Sequence, residues 1–548
     1  MSDKIKKLEQ RREKIDTGEE YENFKTLIDD TRRLFNPDIA TLQTQVAKGT
    51  KLNKKRVSDA GISMNNDYAS GVLAETITAG DEWFEMADRK KEQADADTFD
   101  GMTKIMFDHI NHSNFYSEMH RDQRNAGCDG TVCMHIERVD GKLNFIHTPF
   151  GAFWFRQDFW GKPDTVWVEK TTTVGALAGE FGVEKLSSKS QRAFKKTPDE
   201  EIKIIYYCAK RTKRDPSKKD DKNKAYELLI YEKEENHELR EGGTDLQKFM
   251  VYRVKRILDE TLGRGPCIDT VSSMAALERN AKDLQRGLRL AVVPVYGVAA
   301  SMGQKGFRMI HQDDASIMVY DDTGIASPPQ TMNPPVNVDF GLKYMELITT
   351  QMHKMFFLDH FNPVQDKKNI TAFQTREIVN KSQQMVSQIV EPFNEERVDP
   401  ALRWIMVLLG EAGLFSEFGS WEEIQKEFAG RVTIRHKSRL ANAQKRIRLL
   451  SIVEYTEMKA VIAQGIPDPV QQFEFMAQTD WTKVPQELIN GTNAPQTLLL
   501  DPEEAKAKAD AFAEGLAQQS QMDNMVKGAD AAAKASGAVD PTSVLANA

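Results

Sequence analysis

Residues 253–298 carry the strongest structural signal in the chain, and they read RVKRILDETLGRGPCIDTVSSMAALERNAKDLQRGLRLAVVPVYGV. A charged approach leads to the turn Gly263-Arg264-Gly265-Pro266, and the pattern behind it predicts one long helix ending at Pro294. Apolar residues recur there at alternating steps of four and three, which places them on one helical face: Leu277, Ala281, Leu284, Leu288 and Ala291. Basic residues recur at steps of three and four on another face: Arg279, Lys282, Arg286 and Arg289.

The two faces of this helix have different physical needs. An apolar face needs a packing partner, whereas a basic face needs water or an anion. A helix that carries both can stand in a wall, with neighbours on one side and a polyanion on the other. The alternative is a surface helix whose charged face is only solvated, and the pattern leaves both interpretations open.

The bulk composition limits the class of protein. A chain of 548 residues suggests about two to four domains. With 28% charged residues and a net charge of -8, it is neither a disordered acidic chain nor a wholly basic nucleic-acid binder. Contact with nucleic acid would therefore be local, and it would suit passage of the polymer better than a tight grip.

The ends and the cysteines point to an intracellular origin. Residues 1–12 are mostly charged and lack the apolar core of a secretory signal. The densest apolar run, 404–409, is far too short to span a bilayer, so we expect no membrane partner. The cysteines form no paired framework and are expected to be reduced: Cys128, Cys133, Cys208 and Cys267.

The first 260 residues predict helices followed by a small antiparallel sheet. Helices are expected over 3–35, Asp67–Met86 and roughly 94–125. Short β-branched and aromatic runs then predict strands, at Thr131–Ile136, Leu143–Ile146, Thr165–Val168, 202–208 and 226–232, with a charged loop at Lys210–Lys224.

The second half predicts a β insertion between helices. Residues 295–340 are strand-and-turn material, and helix resumes over 341–357. A polar break at 359–369 precedes a long helical tract from Thr371, which Pro392 and Pro400 should kink. A strand at 431–436 and two helices within 438–478 follow. The fold class is therefore α+β and predominantly α-helical.

Catalytic and metal-binding patterns are largely missing. The chain has no phosphate-binding loop, no serine or cysteine nucleophile signature and no strong metal motif, so no cofactor, metal or catalytic residue is predicted. The acid pairs Asp313-Asp314 and Asp321-Asp322 suit turns better than a magnesium site. His109, His112 and His120 are better explained as packing or surface residues than as zinc ligands.

A second basic feature lies in the polar break. Lys367 and Lys368 follow Asn362-Pro363, where a loop between two helices can point into open space. Together with the basic face of the long helix, they are the best candidates for contact with a polyanion, the alternative being a solvated lysine pair.

The order of elements and several strings resemble the portal, or head-to-tail connector, proteins of short-tailed bacteriophages. The resemblance covers roughly residues 5–510. It rests most specifically on the turn 263–266 with the helix behind it, on Thr371-Ala372 with Arg376-Glu377-Ile378, and on the stretch Pro400–Leu414. Ala69–Ala74, Trp83-Phe84, Thr148-Pro149-Phe150 and Thr171-Thr172-Thr173 are similar to other parts of the family.

The resemblance implies a portal-type fold that assembles as a ring, usually of twelve copies, at one capsid vertex. Its regions would be a wing (1–270 and 371–437), a stem of two helices (271–292 and 341–358), a clip (293–340), a channel loop (359–370), a crown (438–510) and a flexible or barrel-forming tail (511–548). The first stem helix would span about 18 residues, or roughly 27 Å. Arg279, Lys282, Arg286, Arg289, Lys367 and Lys368 would line the DNA channel.

The same resemblance implies the partners and the location. They are double-stranded DNA, the terminase large subunit, major capsid and scaffolding proteins, tail adaptor and tube proteins, and internal core proteins, in the virion and in the host cytoplasm during assembly. Two other classes stay open: a magnesium-dependent nuclease that uses the two acid pairs, and a non-catalytic oligomeric scaffold.

Overall fold

The computed structural model describes residues 2–39, 56–80, 82–88, 96–215, 220–292, 338–361, 372–428, 432–437 and 439–479, together with short pieces at 42, 296–299, 317–320, 330–331, 484, 508 and 511–512. The chain divides into two compact units, Met1–Ala441 and Asn442–Ala548. Both helices and strands build the first unit, so the expected α+β class is confirmed. No helix in the described part of the chain is both long enough and apolar enough to cross a membrane.

The amino-terminal region contains more helices than the sequence pattern predicts. Two of the three expected helices are divided, and the bounds are α1 Ser2–Asp16, α2 Glu19–Phe35, α3 Ala60–Thr76, α4 Ala96–Asn111 and α5 Phe115–Asp129. Gly18, in an extended conformation, separates the first two. Between α4 and α5 the side chain of Asn114 bonds the backbone of Phe145 in both directions, at 2.9 and 2.8 Å, which fixes the break between the two helices against that segment.

The expected helix Asp67–Met86 is wrong in its second half. Helix α3 ends at Thr76, and strand β1 (Phe84–Asp88) follows. This strand pairs antiparallel with β13 (Val432–His436), so its conformation is set by a segment almost 350 residues away. Local periodicity cannot register such a partner.

The strands between residues 131 and 253 fall into two sheets rather than one. Their bounds are β2 Thr131–Val139, β3 Lys142–Thr148, β4 Phe153–Gln157, β5 Pro163–Thr173, β6 Glu201–Lys210, β7 Tyr226–Glu232, β8 His237–Thr244 and β9 Phe249–Arg253. One antiparallel sheet has the order β3-β2-β9, and the other has the order β4-β5-β6-β7-β8. Two short helices, α6 Val174–Phe181 and α7 Ser188–Lys196, lie between β5 and β6. Every predicted strand of this region is present, whereas β4, β8 and β9 were not predicted.

Two buried clusters hold this unit together. One surrounds the five-stranded sheet and includes Trp167 and Tyr231, both almost fully buried. The larger one joins α3, α4, α5, the three-stranded sheet and the beginning of the long helix 266–292. A buried ion pair ties them: Arg32 of α2 donates to both carboxylate oxygens of Asp129, at 2.9 and 2.6 Å, and to the carbonyl oxygen of Phe150.

The long helix and its partner form an antiparallel hairpin. Helix α8 runs from Pro266 to Val292, and helix α9 runs from Val338 to Met355. Gly341, near the start of α9, lies beside Leu284 in the second half of α8, while the opposite ends of both helices enter the larger core. At 27 residues, α8 is roughly 40 Å long, which exceeds the predicted length because the helix begins at the turn itself.

The expected β insertion between the two helices is present in part. Three short strands form one sheet: β10 Tyr296–Ala299, β11 Ile317–Tyr320 and β12 Gln330–Thr331, in the order β11-β10-β12. Both acid pairs, Asp313-Asp314 and Asp321-Asp322, lie outside the described residues.

A long, irregular helical tract follows a single turn, α10 (Leu358–Phe361). It consists of α11 Ala372–Phe393, a π-helical turn at Asn394–Val398 and α12 Asp399–Glu411. Pro392 lies just before the π-helical turn, and Pro400 lies directly after it, in the first turn of α12. The predicted irregularity is confirmed, and it takes the form of a π-helical turn.

Helix α13 (Trp421–Phe428) completes the helices of the first unit. Two more helices, α14 Arg439–Gln464 and α15 Pro469–Ala477, are separated at residues 465–468, as predicted. Within the second unit, Lys459 is buried between the rings of Tyr455 and Phe475.

Candidate nucleic-acid interface

Glycines place helix α8 by allowing close backbone contact. A Cβ atom on Gly265 would lie 2.2 Å from the carbonyl oxygen of Gly127, and one on Gly263 would lie 2.9 Å from that of Gly130. Gly130 itself has a left-handed backbone, with φ +75°. The turn 263–266 therefore rests directly on the end of α5, and it fixes the direction in which α8 leaves the core.

The apolar face of α8 is buried only in its first half. Met274 and Leu277 are almost fully buried, and Ala281 is 9% exposed. Further along, Leu284 is half-buried and Leu288 is 44% exposed. The predicted packing face is therefore confirmed up to about residue 284, and beyond it the helix leaves the core of its own chain.

The four basic residues of α8 differ in their surroundings. Lys282 reaches Glu278, with 3.2 Å between Nζ and Oε1, and Arg286 lies 3.5 Å from Asp283. Arg279 and Arg289 are exposed, and neither forms an ion pair with an acid of the described residues. The basic face of α8 therefore contains two partly neutralised cations and two whose charge is directed to solvent.

Glu278 borders the basic face of α8, and the sequence analysis did not single it out. It is buried, and its two carboxylate oxygens accept the backbone N–H groups of Val57 and Ser58 at 2.7 and 3.0 Å. Burial acts to raise the pKa of Glu278, but these N–H groups and the Lys282 ammonium outweigh it, so the pKa is lowered and the carboxylate stays charged. Its partnership with Lys282 follows the ordinary four-residue helix spacing, which the sequence does show.

A buried charge network supports the sheet and the π-helical turn behind α8. Arg397, fully buried, donates from Nη2 to Asp122 at 3.0 Å and from Nη1 to the carbonyl oxygen of Met250 at 2.6 Å. His147 contacts the same carboxylate at 2.7 Å. The neighbouring Glu396 accepts the backbone N–H of Arg253 at 2.9 Å, next to the stretch that leads into α8.

The other candidates that the structure describes do not assemble into a catalytic or metal site. His109 and His112 each contact a carbonyl oxygen four residues earlier in the helix, and His120 contacts Ser70. All four cysteines are buried and free, as expected. No group of three potential metal ligands occurs in the described part of the chain. Lys367 and Lys368 lie outside the described residues, so their assignment stays a prediction.

These features define a class of protein. The chain combines helices and strands, and it carries a projecting helical hairpin that is basic along one side. No catalytic group is assembled among its described residues. The comparison with protein families agrees with this class. The model of the bacteriophage head to tail connecting proteins matches residues 5–499, so the chain belongs to that family. The expectation of a phage portal or head-to-tail connector is thereby confirmed.

A relative with an assigned role supports the same conclusion. The chain is 22% identical, over 443 residues, to a protein of Bordetella phage BPP-1 described as a probable portal protein, and the match covers 78% of each chain. The family consists of structural connectors of the virion. As a member, this chain has the phage head and tail as partners.

Proposed function

We propose that copies of this chain form a ring at one capsid vertex, through which double-stranded DNA enters during packaging and leaves at infection. A ring of twelve copies is the arrangement that the family resemblance implies. Identical head-to-tail contacts close into such a ring when the rotation between neighbours allows it.

The observation that carries the proposal is the changing environment along α8. The first half of α8 is anchored in the core and the second half leaves it, while Arg279 and Arg289 are exposed on the side away from α9. Screened surface contacts are worth about 1 kcal/mol or less each. A ring of such contacts centres a duplex and still lets it slide, which is what a conduit requires.

The other regions receive proposed roles from the same assignment. The clip (293–340) would dock the terminase large subunit and later the tail adaptor and tube proteins, and the channel loop (359–370) would present Lys367 and Lys368 to DNA. The wing (1–270 and 371–437) would contact major capsid and scaffolding proteins. The crown (438–510) and the tail (511–548) would face the capsid interior, where internal core proteins bind. Assembly would take place in the host cytoplasm.

The proposed conduit performs no bond-breaking step. The alternative of a magnesium-dependent nuclease would need Asp313-Asp314 or Asp321-Asp322 as metal ligands. Incubation of the purified protein with labelled DNA and Mg²⁺ tests it: no cleavage is expected, and cleavage abolished by Asp→Asn substitution of either pair would favour the enzyme.

Electron-microscope class averages of the purified full-length protein test the conduit directly. Rings with a central hole wide enough for a duplex, roughly 20 Å or more, are expected. A stable monomer under capsid-assembly conditions would contradict the proposal, and closed particles without a hole would favour the oligomeric scaffold.

A further inference from the structure

Two chain connections lie at the same end of the five-stranded sheet. Because the strands are antiparallel, the turn between β4 and β5 (158–162) and the connection between β6 and β7 (211–225, described at 211–215 and 220–225) both leave from the end at which Thr165 pairs with Ala209. Neighbouring strands are about 4.8 Å apart, so the two connections lie roughly 10 Å from each other. We call this end of the sheet the rim, and the residues that matter there are Phe159, Trp160, Lys210, Lys213, Arg214 and Lys222.

Two aromatic side chains of the rim are exposed to an unusual degree. Phe159 is 91% exposed and Trp160 is 78% exposed, and their rings meet edge to face with centroids 5.0 Å apart. The turn that carries them is nevertheless fixed, because one carboxylate oxygen of Asp158 accepts two backbone N–H groups of the turn, at 2.8 and 2.9 Å. The buried Arg253 also donates to the carbonyl oxygen of Gly161 at 2.9 Å. The rings are therefore held out to solvent in a defined place, and a ligand that stacks on them orders little backbone.

Positive charge lies beside the aromatic turn. Residues 210–224 contain eight basic and three acidic residues, in a chain whose net charge is -8. Four of these cations are exposed and form no ion pair with an acid of the described residues: Lys210, Lys213, Arg214 and Lys222. Several acids nearby have other partners, since Glu227 and Glu241 both contact Lys4. Asp221 lies 3.1 Å from Lys224. The positive charge of the rim therefore exceeds what the described acids neutralise.

The combination of rings and cations indicates the chemistry of the ligand. Aromatic side chains stack on nucleobases and adjacent cations contact phosphates, which is how proteins bind single-stranded nucleic acid. A duplex keeps its bases stacked on each other, so it offers the rings no free base. Helix α8, the proposed contact with duplex DNA, contains no aromatic residue. The rim and the basic face of α8 therefore suit different forms of nucleic acid.

We propose that the rim binds single-stranded nucleic acid, with bases stacked on Phe159 and Trp160 and phosphates against the cations of the β6–β7 connection. Two other occupants would make less use of the rim. An acidic protein surface needs only the cations, and an anionic bilayer needs the cations together with any apolar side chains. Neither requires flat rings. This second site goes beyond the proposed conduit, and it does not depend on the ring.

Substitution of the rings by leucine separates stacking from other uses of the rim. Phe159→Leu with Trp160→Leu keeps apolar side chains in the turn but removes the flat rings, and both positions lie outside the core. Fluorescence anisotropy of the full-length protein with a labelled oligothymidylate, long enough for a site of about 4–16 nucleotides, should show affinity weakened about tenfold or more. The affinity for a duplex of the same length should stay within about twofold, because a duplex has no base to stack on the rings. Equal affinities of the variant and the wild type for the single strand overturn the proposal.

Two matched charge variants test the phosphate contacts. Lys213→Gln with Arg214→Gln removes two cations at the rim. Lys195→Gln with Lys196→Gln removes two exposed cations from α7, which lies in the connection at the opposite end of β5 and β6. The rim variant should reduce the slope of log affinity for the single strand against log salt by about 0.7 per lost phosphate contact, and the α7 variant by less than about 0.3. Equal reductions by the two variants overturn the proposal.

Competition and sedimentation separate the other occupants. Unlabelled oligothymidylate should displace the labelled strand at least about tenfold better than poly-glutamate of the same charge, because poly-glutamate has no bases to stack. Equal displacement by the two polymers would overturn the proposal in favour of an acidic protein. Vesicles that contain phosphatidylserine and sediment the wild type and the leucine variant equally well would overturn it in favour of a bilayer. A wild type that does not bind oligothymidylate overturns the rim site but leaves the conduit standing, since ring images and duplex binding test that separately.

Discussion

Removal of Arg279 and Arg289 should weaken DNA binding in a way that removal of Lys282 does not. Both arginines are exposed and meet no acid of the described residues, so each charge is available to a phosphate. Lys282 lies 3.2 Å from the carboxylate of Glu278, which two backbone N–H groups hold in place. A phosphate at Lys282 would therefore meet a pair of nearly zero net charge.

The magnitude follows from counterion release. Each phosphate that the protein no longer neutralises should reduce the slope of log affinity against log salt by about 0.9. Arg279→Gln with Arg289→Gln should therefore reduce the slope by about 1–2 for each copy that contacts the duplex, and it should weaken binding by up to about 1 kcal/mol per arginine at low salt. Lys282→Gln should change the slope by less than about 0.3, because the charge it removes already has a partner.

Fluorescence anisotropy with a short labelled duplex, at several KCl concentrations and with assembled protein, measures both slopes. Thr350→Gln, at an exposed position of α9, serves as the control for a substitution that removes no charge. An equal reduction of the slope by Lys282→Gln and by the double arginine variant would refute the reasoning, because the local ion pair would then not decide which cations reach DNA.

Three further predictions concern the fold that holds the site. Arg397→Met should destabilise the first unit by about 3–5 kcal/mol, because it leaves the buried carboxylate of Asp122 poorly paired. Adding Asp122→Leu should recover much of the lost stability, as measured by urea unfolding. Additive effects of the two substitutions would contradict this coupling. Gly265→Ala should lower the free energy of unfolding by at least about 1–3 kcal/mol, since the new Cβ meets carbonyl oxygens of α5. A Cβ at the control position Gly179 has nothing within 4 Å, so Gly179→Ala should be neutral or stabilising. Equal shifts of the melting temperature in the two variants would contradict the close approach. Burial lowers the pKa of His135 to about 3, so below about pH 6.5 the unfolded state binds more protons than the folded state. The free energy of unfolding should therefore fall by up to about 1.4 kcal/mol per pH unit as the pH drops toward 3. His135→Leu should flatten this dependence, and an unchanged pH profile would contradict the prediction.

The sequence predicts those parts of the fold whose cause is local. The turn 263–266 and the helix behind it follow from glycine, proline and a 3.6-residue period, and the strands at 131–136 and 202–208 follow from β-branched and aromatic runs. Strand β1 was missed because its conformation depends on β13, which lies far along the chain.

The candidate site also has a part that local sequence patterns predict and a part that they do not. The basic face of α8 is visible in the sequence, and so is the spacing that pairs Glu278 with Lys282. What no local pattern shows is that Glu278 is buried and fixed by Val57 and Ser58, more than 200 residues away. The fold therefore decides which cations are available, although the sequence decides where they stand.

The distribution of charge along α8 would also let a mildly acidic protein conduct DNA in the proposed ring. In the proposed ring each copy offers the axis two cations without a described acid partner, and it balances two others within the same helix. If all four cations were unpaired in every copy, many phosphates would be contacted at once. The resulting affinity would fall steeply with salt, and at low salt it would oppose sliding of the duplex. Pairing half of the cations lowers the number of phosphates held at once. It leaves the spacing of the cations along the helix unchanged, so a duplex that leaves one cation meets an equivalent cation on the neighbouring copy. In the proposed conduit, the acids of α8 would thus contribute to the passage of DNA as much as its arginines do.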